Sequence, residues 1–340
     1  MTQKKELIPL LELSARVGQN PLLTQASTGN VSMKLDGRLW IKASGKWMAD
    51  AMHEDILVPL DLAVVKECVR RGVDPTELHS KASIETSMHA VLPHRVVLHV
   101  HCVKTIAWAV RKDAPIQLGH LLHGLRWQWV PYVQSGLTLA RAIEKALSKC
   151  AATDVLVLGN HGLVIGGDDC RAVEDLVSEV QRRLAIPKRL TPYPDYAALA
   201  ELADCFSWNL PDDDDVHALG TNAISRKVLC GGFLFPCQAI FSNSSTPDLF
   251  RAIPYRVVQG RANSLYRERP FLIVKDRGVV INRTMTPAES AMLGGLSQVV
   301  QRIGESSPIR YLTEAEVRDN ARVVTHHYRQ LANAGHDSRR

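Results

Sequence analysis

Several common signals are missing from this 340-residue chain, and each absence narrows what it can be. No apolar run approaches the roughly 20 residues of a membrane span, so a membrane partner is not expected. The opening MTQKKELIPLLELSARVG places acids where a signal peptide has none. The seven cysteines are odd in number and never spaced CxxC, which points to reduced thiols and a cytoplasmic location. A net charge of +6 is scattered among acids rather than gathered into a basic stripe. Nucleic-acid binding is therefore not expected, whereas a small anionic substrate would be welcome. Neither Gly166-Gly167 nor Gly231-Gly232 belongs to a GxGxxG motif ahead of a helix, so no dinucleotide domain is expected. No repeat of 20–50 residues is visible.

Against this background one line stands out. The run VVLHVHCV reads as a buried strand yet carries His99 and His101 two positions apart. Side chains alternate along a strand, so both imidazoles face one way, with their Cα atoms roughly 6–7 Å apart. Two such histidines suit a metal if further ligands arrive, and they equally suit a wetted sheet face. Cys102 faces away from His101 and reads as core. A third candidate is His161, aimed by the glycines around it in the turn LGNHGLV. A fourth is Glu85, 14 residues before His99 in SIETSMHAVL, a helix ended by Pro93. Three imidazoles with an open fourth position let a zinc ion act as a Lewis acid, and a carboxylate beside it can serve as general base.

Other patterns place these residues in an alternating α/β region. Residues 5–18 read as an amphipathic helix, and Asp36-Gly37 joins two short strands as a hairpin. Helices are expected at 57–72, 103–111, 137–149 and 169–185, with strands near WQWVPYV and on both sides of Gly159–Gly162. Hairpins among the strands argue against a purely parallel sheet. Beyond the proline-containing segment 187–194 the expectation is a helix at 195–208, strands at 228–241 and 271–282, and helices at 286–304 and 313–333. Asp212–Asp215 reads as a solvated loop. His120, His123 and the pair His326-His327 read as structural or exposed.

The segments STGNVSMK, LWIKASG, ASIETSMHAVLPHRVVLHVHCV, VPYVQSG and GNHGLVI occur in an order and spacing that resemble the class II aldolase/adducin family. The likeness covers roughly residues 5–186. It is closer to the longer, aldolase-like branch, which includes the rhamnulose-phosphate aldolase domain of bifunctional proteins. The resemblance implies an α/β fold: a three-layer αβα domain over residues 1–189 with a mixed, mainly antiparallel sheet. Residues 190–340 would form a smaller α+β extension.

The resemblance also implies roles. His99, His101 and His161 would hold Zn2+ or another divalent metal, and Glu85 would be the catalytic acid/base. Gly29, Asn30, Ser44, Gly45 and Ser83 would bind the substrate's anionic end, where glycine turns expose amide donors. Ile84 stands where shorter relatives have a second serine, which leaves phosphate, carboxylate or polyol open for that end. Lys42 could add charge. Tyr132 would be a proton donor reaching a neighbouring subunit's site, which implies a homo-oligomer, a tetramer first. The implied activity is a zinc-dependent lyase, an aldehyde-lyase in carbohydrate metabolism acting on a small ketose phosphate or sugar acid. Dehydration, decarboxylation or epimerisation on the same site is the alternative, as is a non-catalytic adducin-like binding module.

Overall fold

The computed structural model describes residues 5–77, 79, 81–206, 208–242, 247–261, 266 and 269–320. The chain divides into two compact units between Ala185 and Ile186. Among the described residues no helix is long and apolar enough to cross a membrane, and all seven cysteines are free thiols.

The first unit is built on a seven-stranded sheet in the order β3-β2-β1-β4-β7-β6-β5. Its strands are β1 (Asn30–Leu35), β2 (Arg38–Lys42), β3 (Leu57–Asp61), β4 (Val96–Val100), β5 (Trp127–Val130), β6 (Val155–Leu158) and β7 (Gly162–Gly167). Every pairing is antiparallel except β5 with β6. This is the mixed, mainly antiparallel sheet that the sequence suggested.

Strict alternation gives the sheet two apolar faces. Val31, Met33, Val96, Leu98, Leu163 and Ile165 pack on one side with helices α1 (Ile8–Gly18) and α7 (Cys170–Arg183). Val97, Leu156, Leu158 and Val164 pack on the other with α3 (Thr86–Val91) and α6 (Leu137–Lys149). The fold is thus an αβα sandwich. On β4 the second face also carries His99, and on β1 it carries Asn30, directly opposite His99 in the register.

The expected helix at 57–72 divides in two. Residues 57–61 form strand β3 on the edge of the sheet, where Pro59 forfeits no ladder bond that a central strand would need. Asp61 then caps α2 (Leu62–Arg71), its carboxylate accepting a 3.0 Å bond from the Val64 amide. The intervening helices are α4 (Val103–Ala109) and α5 (Ala114–Leu121), the latter not anticipated from the sequence.

In the second unit Trp208–Asn209, Phe271–Val274 and Gly278–Asn282 form a three-stranded antiparallel sheet. Helices at Tyr196–Phe206 and Pro287–Val300 match expectation, and the second opens with a full capping box between Thr286 and Glu289. The strands expected at 228–241 are instead helices, Ala223–Cys230 and Pro236–Ser242. Asn222 caps the first through the Ser225 amide, and Pro236 sits at the opening of the second, where a missing N–H costs nothing. The last helix expected, at 313–333, falls only in part on described residues, and His326-His327 lies outside them.

Candidate metal centre

Three chain segments converge at one end of β4. His99 is the fourth residue of that strand, and His101 lies just past its end. His161 occupies the tight β6–β7 turn, whose geometry depends on Asn160 at φ +50°. Glu85 stands at the N-cap position of α3 rather than within the helix, and its amide donates to Ser83 Oγ at 3.2 Å. All four side chains are buried.

The ligand-type atoms of Glu85, His99, His101 and His161 lie within 4.8 Å of one another. Each pair of the three imidazole rings has its centroids 4.9 Å apart, edge to face. Glu85 Oε1 is 3.4 Å from His99 Nε2 and 3.3 Å from His161 Nε2. His99 Nδ1 is 3.0 Å from the Leu163 carbonyl, which makes Nδ1 the protonated nitrogen. Its Nε2 therefore presents a lone pair, and it faces His101 Nε2 at 3.1 Å.

Such a knot of lone pairs is poorly tolerated when dry unless a cation sits among them. Desolvation lowers the pKa of His101 and of His161, which keeps both imidazoles neutral and able to ligate. For Glu85, desolvation pushes upward, yet the adjoining His99 and His161 outweigh it. The carboxyl is held well below its usual range. Neutral histidines and an ionised carboxylate form the donor set that a divalent cation takes.

Of the remaining predicted residues, Asn30 and Ser83 bond Glu85 and Gly29 lies against the His99 backbone. Asn30 Nδ2 donates to Glu85 Oε2 at 2.7 Å, while its buried Oδ1 has no partner among the described residues. Gly29 adopts φ +72°, and a Cβ there would come within 2.6 Å of the His99 carbonyl. Ser44 and Gly45 lie in the turn after β2, the latter at φ +75°, and the Ser44 amide donates to the Lys81 carbonyl at 2.9 Å. Ser83 is buried beside Glu85 and accepts that residue's amide. Tyr132 follows β5, half-buried, with its backbone against Gly159 near the His161 turn.

Two neighbours of Glu85 escaped the sequence reading. Ser135 Oγ lies 3.5 Å from Glu85 Oε1. His89, one turn along α3, is fully buried and pairs its Nδ1 with Ser32 Oγ at 2.7 Å. Nothing in the sequence marks either pairing, because the partners are 50 and 57 residues apart. His120 and His123 are exposed, and Cys102 is core, as expected.

The profile of the Class II Aldolase and Adducin N-terminal domain matches residues 10–186, more than half of the chain. The chain belongs to the class II aldolase/adducin family. Among curated proteins, a Bacillus subtilis relative named "Uncharacterized oxidoreductase YuxG" is 28% identical over 181 residues. That match covers 47% of this chain and only 26% of the relative, so the chain spans about a quarter of that protein's length. Among solved structures, the N-terminal class II aldolase domain of a conserved Thermoplasma acidophilum protein is 22% identical with a TM-score of 0.47. The match covers 53% of this chain and 92% of that one. An L-fuculose-1-phosphate aldolase from Thermus thermophilus is 19% identical with a TM-score of 0.37, covering 52% of this chain and 92% of that one.

Proposed function

We propose that this member of the class II aldolase/adducin family is a zinc-dependent lyase that cleaves a carbon–carbon bond in a small anionic ketose or sugar acid. The observation that carries the reading is the buried cluster of three imidazoles and one carboxylate around a common point. A purely structural module gains nothing from such a cluster, whereas a Lewis-acid enzyme needs it. Another divalent metal fits the same donors.

His99, His101 and His161 would hold the ion, with Glu85 as its fourth neighbour. When bound, the ion would supply a Lewis acid that polarises a carbonyl oxygen and offsets the negative charge developing as the bond breaks. Glu85 would move the proton at carbon. Asn30 and Ser135 fix that carboxylate through its two oxygens, so its reach toward substrate is set before substrate arrives. In this reading Tyr132 protonates or deprotonates the aldehyde oxygen, from a neighbouring subunit of a tetramer. The turns bearing Gly29, Asn30, Ser44 and Gly45, with Ser83 beside Glu85, would receive the substrate's anionic end. Residues 1–189 would carry this chemistry, in the cytoplasm, with 190–340 as an extension.

The test is a screen of ketose phosphates and sugar acids with zinc supplied, following aldehyde release and, separately, loss of water or carbon dioxide. Metal-dependent aldehyde release from one substrate class supports the reading. Release of water or carbon dioxide alone would transfer the same site to a dehydratase or decarboxylase.

A further inference from the structure

On its second face β1 presents Asn30, Ser32 and Lys34, alternate residues of the strand, and all three reach α3 or its ends. Asn30 Nδ2 donates to Glu85 Oε2 at 2.7 Å, and Ser32 Oγ pairs with His89 Nδ1 at 2.7 Å. Lys34 Nζ donates to the carbonyl of Leu92, where the chain leaves the helix. Alternate strand residues advance about 6.7 Å and four helical residues about 6 Å, so the first two bonds stack as successive rungs. This polar line runs through an otherwise apolar layer. Leu39 and Ile41 of β2 cluster with Ala90 on one side of it, and Val97 of β4 clusters with Met88 on the other.

Apolar contacts have no preferred direction, so a six-residue helix resting on them alone is free to slide and roll. Hydrogen bonds are directional, and a ladder of them fixes both register and rotation. The middle rung is the most enclosed, with Ser32 and His89 each 0% exposed. The His89 amide also donates to the Glu85 carbonyl at 3.2 Å, closing the first turn of the helix. Whatever holds His89 therefore holds the backbone from which the Glu85 carboxylate projects. His89 Nε2 is buried with no partner among the described residues, a cost that an apolar side chain would avoid. An imidazole is a poor choice here for stability alone. Its use is the one directional bond it makes.

We propose that His89, through Ser32, is a positioning residue that sets the register of α3 and so aims the Glu85 carboxylate at the three imidazoles. This rests on the reading of that cluster as a metal centre. It goes further in placing control of the acid/base one helical turn behind it, in a side chain bonded to β1 and not to the cluster.

The experiment uses the full chain loaded with cobalt(II), whose visible absorption depends on the number and geometry of its ligands. Wild type is compared with Ser32→Ala, His89→Leu, the double variant and His89→Asn, while Glu85→Ala gives the spectrum without the carboxylate. Circular dichroism and thermal melting are recorded for each. Both single variants are expected to fold and to shift the visible band towards that of Glu85→Ala. They should also lose roughly tenfold in cobalt affinity, the low end for residues that orient metal ligands. The double variant should lose no more than either single one, since the same bond is removed in all three. It should melt near the wild type, because both polar partners are gone. His89→Asn puts an amide where Nδ1 stood and should restore the spectrum. A purely structural role gives the opposite pattern: melting temperatures fall while the folded protein keeps the wild-type spectrum. That pattern would overturn the proposal, as would additive losses in the double variant, no rescue by His89→Asn, or failure of both single variants to fold. No cobalt uptake by the wild type, or an unchanged spectrum in Glu85→Ala, would strike the metal centre itself and the proposal with it.

Discussion

Asn30 and Glu85 come from segments 55 residues apart and meet in a 2.7 Å hydrogen bond that leaves Glu85 Oε1 turned toward His99 and His161. Removing the bond should leave the metal ligands in place and free the carboxylate to wander. Asn30→Ala is expected to keep zinc and lose roughly ten- to a hundredfold in turnover, the scale of ~1–3 kcal/mol for a lost bond to a charged group. Glu85→Gln should cost more, about 10²–10⁴-fold, because it removes the acid/base itself. Steady-state kinetics with metal analysis on both variants checks the order. Equal turnover in Asn30→Ala and the wild type would remove Asn30 from the account.

A second prediction concerns a residue with no ligand atom. A Cβ on Gly162 would fall 2.5 Å from the Val100 carbonyl and 3.4 Å from His99 Cε1. Backbone cannot yield as a flexible side-chain tip can, so Gly162→Ala should push β4 and β7 apart where His99 and His161 meet. Zinc affinity is expected to fall about tenfold or more, while thermal stability drops by an amount typical of overpacking, about 1–3 kcal/mol. Competition with a chromophoric chelator would report it. Unchanged affinity would show that the centre tolerates more slack than its packing implies.

Assembly gives a third. If Tyr132 completes a neighbouring chain's site, the contact is head-to-tail and must close into a ring. Mixing an inactive Glu85→Gln chain with an inactive Tyr132→Phe chain should then restore some activity after subunit exchange. No recovery after confirmed exchange, or a monomer in dilute solution, would mean that each site is self-contained.

The second unit yields a pH dependence of known sign. His217 is 1% exposed, and its Nδ1 accepts a 3.1 Å bond from the Val279 amide, so it must be unprotonated there. Desolvation lowers its pKa, against the opposing charges of Asp214 and Asp213, and the edge of Tyr196 packs on its ring. A base whose pKa is lowered by folding takes up its proton more readily in the unfolded chain. Stability is therefore present above about pH 6.5 and is lost as pH falls below it, by at most about 1.4 kcal/mol per pH unit. Urea unfolding of this unit between pH 5 and 7.5 should show that slope, and His217→Gln should flatten it. An unchanged slope in the variant would assign the effect to another group.

The four ligand-type residues are legible in the sequence because each carries a local signature. His99 and His101 share a strand face by period two, His161 sits among turn glycines, and Glu85 opens a helix that feeds the strand. The sheet is legible for the same reason: its hairpins and alternation are written locally. What stays hidden depends on distant partners. Nothing near Asn30 indicates that its amide is engaged by Glu85, and Lys42 in LWIKASG reads as a solvated strand lysine until three carbonyls surround it. Residues 57–61 read as helix because three apolar positions near Pro59 fit either period, and only the sheet edge decides for strand. Residues 228–241 fail as strands for a related reason: short apolar runs carry no period of their own, and caps at Asn222 and Pro236 settle the outcome.

The proposed lyase requires a metal ion among Glu85, His99, His101 and His161. Elemental analysis of the full chain, purified with zinc supplied and then dialysed, measures this most directly, alongside His99→Ala and His101→Ala prepared identically. The expected result is close to one zinc per wild-type chain and almost none in either variant, with helix content unchanged by circular dichroism. A full metal complement in the variants, or none in carefully handled wild type, would contradict the metal centre and the lyase built on it.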